Sequence, residues 1–161
     1  MKEYNDYAKL TRGYLYHYNA YRAMIKNLEN ERNDLNEKLK AVPVGNSLQD
    51  YYGGTAELNK VEKTAYERDE IRAKLKIIEA DIKNISSNLD RVDIALKGLT
   101  KEEQFIVKSY FVERIPWKEI SKKIYLSERW TKIKGYAIIK KLAVCIFGTK
   151  AQNKNTNFIF Y

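Results

Sequence analysis

The sequence predicts an all-α chain, a long antiparallel helical hairpin of coiled-coil type followed by a module of shorter helices. Three observations predict it. Apolar residues recur at alternating four- and three-residue steps over two long stretches. Only seven Gly and two Pro occur among 161 residues, too few for the turns of an all-β sandwich or for a phosphate-cradling α/β enzyme. Helix start and stop signals then crowd the region after Gly98.

The first stretch runs through Tyr14, Tyr18, Tyr21, Ile25, Leu28, Arg32, Leu35, Leu39 and Val42. The second runs through Val61, Thr64, Arg68, Ile71, Leu75, Ile78, Ile82, Ile85, Leu89, Val92, Leu96 and Leu99. Such spacing gathers each set on one stripe of a helix, and a stripe leaves water only by meeting another stripe. Two helices of roughly 55–60 Å follow, at about 1.5 Å per residue. Pro43, Gly45, Asn46, Gly53 and Gly54 break the pattern, so residues 43–56 read as the connecting loop.

Arg32, Thr64 and Arg68 interrupt the stripes either as register-setting polar residues or as loop-end side chains that snorkel to water, the second being preferred. The tyrosines Tyr4, Tyr7, Tyr14, Tyr16, Tyr18 and Tyr21 read as packing residues rather than a base-stacking platform. His17, without an acid or nucleophile partner in the sequence, reads as a surface or packing residue.

After Gly98, Thr100-Lys101-Glu102-Glu103 is a capping box that starts a helix through Phe105, Ile106, Ser109, Tyr110 and Val112 to about Glu113. Ile115-Pro116 interrupts it, and Pro116 suits the first position of a short helix, Trp117 to Ile124. Tyr125-Leu126 forms a tight turn, Ser127 caps a third helix from Glu128 to about Phe147, and Gly148 ends it. A short helix, a tight turn and a longer Ser-capped helix are the plan of a helix-turn-helix. Ile120, Ile124 and Leu126 fall at its buried positions, and the small Ser121 where the two helices approach.

The register of the longer helix has two solutions. Either Trp130 and Ile133 are core, which is preferred, or Thr131 packs and Trp130 is exposed. Cys145, in the run Leu142 to Phe147, reads as a small core residue.

Charge then separates the two parts. The chain holds 30 basic and 21 acidic side chains, net +9, with a pI near 9.4. Residues 1–97 hold 17 basic and 16 acidic ones, so the remaining 64 residues carry net +8. A basic module beside a balanced, heavily charged one points to a polyanion-binding end and a separate structural end. In a helix-turn-helix the start of the second helix enters the major groove, which places Ser127, Glu128, Arg129, Lys132, Lys134 and Tyr136 nearest DNA. Arg129 suits a bidentate contact to guanine and Glu128 can accept from cytosine. Lys118, Lys122, Lys123, Lys140 and Lys141 read as phosphate contacts or solvated charges.

Other functions are disfavoured. One Cys and one His supply no internal disulfide and no metal cluster, and no nucleophile–base pair or paired catalytic carboxylates with a substrate loop occur, so neither an enzyme nor a cofactor is expected. The N-terminus lacks the apolar segment of a signal peptide, and no apolar run is long enough to span a bilayer, which predicts an intracellular protein without a membrane partner.

The stretch Gly98 to Ile106, with Trp117-Lys118-Glu119-Ile120-Ser121 and Ser127 to Ala143, resembles region 4 of bacterial sigma factors. It is most similar to the version in phage late transcription regulators of the RinA and ArpU type, whose coiled-coil-like N-terminal part often carries a stretch like Tyr51-Tyr52-Gly53-Gly54-Thr55. The resemblance covers roughly residues 50–148. Tyr125 stands where a Gly is common in the turn, and Thr131 and Lys134 where aliphatic residues are common.

The resemblance implies a transcriptional activator of phage late or packaging genes, bound to double-stranded promoter DNA in the cytoplasm of a bacterial host, with RNA polymerase as a further partner. No sigma region 2 precedes the motif. The expected organisation is an arm over 1–97 that pairs protomers into a homodimer or holds polymerase, a DNA-binding domain over 98–148 and a tail over 149–161. The tail ends in Phe158-Ile159-Phe160-Tyr161, either frayed or docked on a partner. The alternative is a DNA-packaging component such as a small terminase subunit, although those usually place the DNA-binding motif first.

Overall fold

The computed structural model describes the backbone of residues 4–43 and 55–151, and among them there is helix and turn but no strand. The elements are α1 (Tyr4–Tyr16), α2 (Tyr18–Ala41), α3 (Thr55–Lys97), α4 (Lys101–Val107), α5 (Trp117–Lys123) and α6 (Glu128–Phe147). A π-helical turn, Lys108–Val112, extends α4, and a 3₁₀ turn, Gly148–Ala151, follows α6. Most of the expected loop (44–54) and the tail beyond Ala151 lie outside the described residues; Thr55 and Ala56 are already in α3. No described helix is long and apolar enough to cross a membrane.

The chain divides into two compact units, Met1–Arg22 with Ser87–Tyr161, and Ala23–Ser86. The sequence places the boundary at Gly98, whereas packing joins α1 to the C-terminal helices. The reason lies in the α1 aromatics: Tyr7 and Tyr14 place their rings 5.1 and 6.2 Å from that of Phe147 near the end of α6. Leu15 and Thr11, both fully buried, complete that face. Tyr7 and Tyr14 do pack, as their spacing predicts, but against α6, whereas Tyr16 is exposed.

A single residue, His17, stands between α1 and α2, and helical backbone bonds cross it: the His17 amide donates to the Gly13 carbonyl (3.0 Å) and the Tyr21 amide to the His17 carbonyl (2.9 Å), so the stripe from Tyr14 carries on into α2. At about 1.5 Å per residue, the 24 residues of α2 span roughly 36 Å and the 43 of α3 roughly 65 Å, so the two are unequal.

In the 23–86 unit, the α2 stripe of Ile25, Leu28, Arg32, Leu35, Leu39 and Val42 is half-buried, and nothing on α2 is fully buried. Ile71, Leu75 and Ile78 of α3 are buried. Arg68 reaches the end of α2, where its Nη1 donates to the carbonyls of Leu39 (3.1 Å) and Val42. It therefore neither snorkels nor sets a register: it satisfies carbonyls that a helix end leaves unpaired.

The other unit has the larger core. Leu15, Val92, Leu96 and Leu99 meet Ile106, Val107, Phe111, Trp117 and Ile120, and α6 adds Ile138, Ile139, Leu142 and Ile146. Tyr18 Oη donates to Asp93 at 2.6 Å and accepts from Arg22, which also pairs with Asp93 at 2.7 Å. Burial, and then the bond to Asp93, raise the Tyr18 phenol above its ordinary pKa.

The local signals after Gly98 act largely as their chemistry predicts. Thr100 accepts from the Glu103 amide (3.2 Å) while the Glu103 carboxylate accepts from the Thr100 amide (2.9 Å). Pro116, extended at ψ 146°, is the residue before α5 and not its first helical position. Ser127 caps α6 and Gly148 ends it at φ 67°.

Candidate nucleic-acid interface

The site is built on the packing of α5 and α6. Trp117 opens α5 and stacks on Tyr110 of the π-helical turn, with ring centroids 3.8 Å apart. Its indole lies over Gly135 of α6, where a Cβ would fall 2.4 Å from Cη2. Ile120 and Ser121 are buried, so the small serine does stand at the helix contact. The chain turns at Tyr125, whose φ of 55° is left-handed, and the Leu126 amide donates back to the Ser121 carbonyl at 3.1 Å.

Leu126 is exposed rather than buried, and Ile124 only half-buried. The left-handed residue Tyr125 ends the helical periodicity of α5, so Leu126 does not continue its buried stripe.

Thr131 settles the register of α6. It is fully buried and its Oγ1 donates to the Ser127 carbonyl at 2.9 Å. Trp130 is 64% exposed and Ile133 48% exposed, so the preference for these two as core is overturned. The inner face instead carries Thr131, Gly135, Ile138, Ile139 and Leu142. Thr131 can occupy it because its hydroxyl is satisfied by its own helix. Cys145 is exposed, not core, because Ile146 and Leu142 take the inner positions around it.

The outer face of α6 therefore presents Arg129, Trp130 and Ile133. Arg129 makes no hydrogen bond or ion pair with any described residue. Lys132 pairs with Glu128 one turn back at 2.8 Å; that bond, and then the nearby charge, raise its pKa. Glu128 is thus engaged by Lys132 instead of standing alone as an acceptor. Ser127 is committed to capping, its Oγ accepting from the Trp130 amide at 3.3 Å.

The other sequence-selected residues spread over several faces. Lys134 pairs with Glu102 of α4 at 2.6 Å, and Lys141 with Glu103 at 3.2 Å, so this flank of α6 is charge-matched to α4. Tyr136 leans the opposite way, its ring 6.4 Å from Phe111 and 6.1 Å from Trp117. On α5, Lys118 is exposed without an ion-pair partner among the described residues, Lys122 pairs with Glu119 at 3.0 Å, and Lys123 lies 5.9 Å from the Phe105 ring. Exposed ion pairs such as these are weak, so their lysines stay available to a polyanion.

The structure brings Arg129, Lys132 and Tyr136 onto one side of α6 and turns Lys134 away from them. The second of the two registers, with Thr131 packed and Trp130 exposed, is the one adopted, and the exposure of Ile133 goes with it. The mid-helix Gly135 was the available signal, since it marks where the Trp117 ring must pass and so fixes which face is inward.

The units also differ in charge: Met1–Arg22 with Ser87–Tyr161 carry 19 basic and 9 acidic side chains, net +10, and Ala23–Ser86 net −1. Among the described residues no group of His, Cys, Asp and Glu is placed to hold a metal ion. No family model, curated protein or solved structure matches the chain.

Proposed function

We propose that the protein is a sequence-specific, DNA-binding transcriptional regulator in which α5, the Tyr125–Leu126 turn and α6 work as a helix-turn-helix. The observation that carries this reading is the start of α6. Arg129, without a carboxylate partner among the described residues, stands beside exposed Trp130 and Ile133 on a helix held from behind by Thr131, Gly135 and Ile138. In the major groove Arg129 reads guanine, and Trp130 and Ile133 offer apolar contact to thymine methyl groups. Lys118, Lys122, Lys123 and Lys132 supply phosphate contacts, which fix position rather than sequence.

In the same reading α2 and α3 form a helical hairpin that joins two copies or holds RNA polymerase. The resemblance of residues 98–148 to sigma region 4 favours an activator of phage late genes. Genome-wide mapping of bound DNA in a bacterial host tests it. One dominant peak ahead of late genes supports the reading, and binding without positional preference contradicts it.

A further inference from the structure

We infer that α1 is a second DNA-contacting element, with Lys9 and Arg12 holding the phosphate backbone beside the segment read by α6. This inference rests on the DNA-binding reading.

A groove of about 410 Å³ runs between α1, the π-helical turn and α6, and Lys9, Arg12, Gly13, Tyr16, Tyr110 and Tyr136 are among the residues that line it. Among the described residues no carboxylate lines it, in a chain whose exposed lysines elsewhere are repeatedly matched to acids. Lys9 and Arg12 have no ion-pair partner among the described residues. Arg12 Cζ lies 6.0 Å from the centre of the Tyr136 ring. Tyr136 is one turn beyond Lys132 and two beyond Arg129 on the same side of α6, so the groove continues the stripe that begins at Arg129.

Two backbone features agree. Gly13 sits inside α1 with nothing within 4 Å of the position a Cβ would take, so the fold does not require a glycine there. A missing side chain on a groove floor lets a ligand approach the helix closely. At the groove's edge Arg114 holds the left-handed φ of 62°, a conformation that glycine adopts freely, and its guanidinium stands 4.0 Å above the Tyr16 ring. An exposed cation is thereby fixed beside the groove. Cations at the rim of a neutral, tyrosine-lined floor suit a sugar–phosphate strand, because phosphate meets charge while sugar and phenol rings make contact.

The test measures full-length protein binding to a fluorescein-labelled duplex, selected by that protein from a random library, across a salt series. The slope of log Kobs against log salt becomes shallower by about 2 in Lys9→Ala/Arg12→Ala, as expected for two lost phosphate contacts, with base preference unchanged. Gly13→Glu, which a helix accepts, weakens binding while the circular dichroism stays that of the wild type. Lys26→Ala/Lys76→Ala makes the same charge change in the 23–86 unit and leaves the slope as it was. An unchanged slope in Lys9→Ala/Arg12→Ala, or an equal loss in the Lys26/Lys76 variant, overturns the role of α1 while the DNA reading stands. Wild-type protein that enriches no duplex removes the DNA reading itself.

Discussion

Gly135 and Trp117 face each other so closely that a Cβ on the glycine would lie 2.4 and 2.9 Å from two ring carbons of the indole. The same indole is stacked on Tyr110, with ring centroids 3.8 Å apart, which leaves it little freedom to move. Gly135→Ala therefore overpacks the α5–α6 contact and should destabilise by about 1–3 kcal/mol, the usual range for an added methyl in a tight core. Urea denaturation reads this directly. Trp117→Phe in the same chain should recover part of the loss, and a Gly135→Ala protein as stable as wild type would contradict the packing described.

Tyr125 holds φ at 55° with its side chain 95% exposed. A non-glycine residue in that region costs roughly 1–2 kcal/mol, part of which glycine gives back as unfolded-chain entropy. Tyr125→Gly should thus raise stability by about 0.5–1 kcal/mol, seen as a higher melting temperature. A lower melting temperature would show that the tyrosine makes stabilising contacts this geometry lacks. A strained, exposed aromatic in the turn that precedes α6 is also a candidate for contact with DNA, so the same variant should bind duplex less tightly.

The capping box makes a pH prediction. The Thr100 amide first, then Lys141, hold the Glu103 carboxyl below its ordinary pKa. A carboxylate whose pKa is depressed by folding stabilises above its unfolded value, about 4.3, and that contribution is lost as pH falls through the lower folded value. Glu103→Gln should therefore melt below wild type at pH 6, and the gap should close as pH drops below about 4. A gap that persists at pH 3 would mean that charge is not what Glu103 contributes.

How much of this was legible in the sequence differs between residues. Thr100, Glu103, Ser127 and Gly148 were legible because caps depend on neighbours three or four residues away. The stripe from Ile71 to Leu99 was legible because a 4–3 repeat survives in any helical context. Trp130 and Thr131 were not, because hydrophobicity alone ranks tryptophan as the better core residue. The deciding facts are long-range: the Trp117 ring occupies the space over Gly135, and the Thr131 hydroxyl finds its acceptor in Ser127. Lys9 and Arg12 were counted with a neutral arm for a similar reason, since only tertiary packing brings α1 beside α6.

The half-buried stripe of α2 has a consequence for assembly. With none of its residues fully buried, α2 leaves apolar surface that a second copy can cover. Light scattering should give the mass of a dimer. A ring of eight or more subunits would favour a DNA-packaging component over a regulator.

If the start of α6 reads bases, as proposed, the difference shows most directly between wild type and Arg129→Ala on a selected duplex and on its single-base variants. Arg129→Ala should lose about 1–3 kcal/mol on the preferred duplex and relax discrimination at one G·C pair, with helical content unchanged. Wild-type affinity and full discrimination in Arg129→Ala would contradict it.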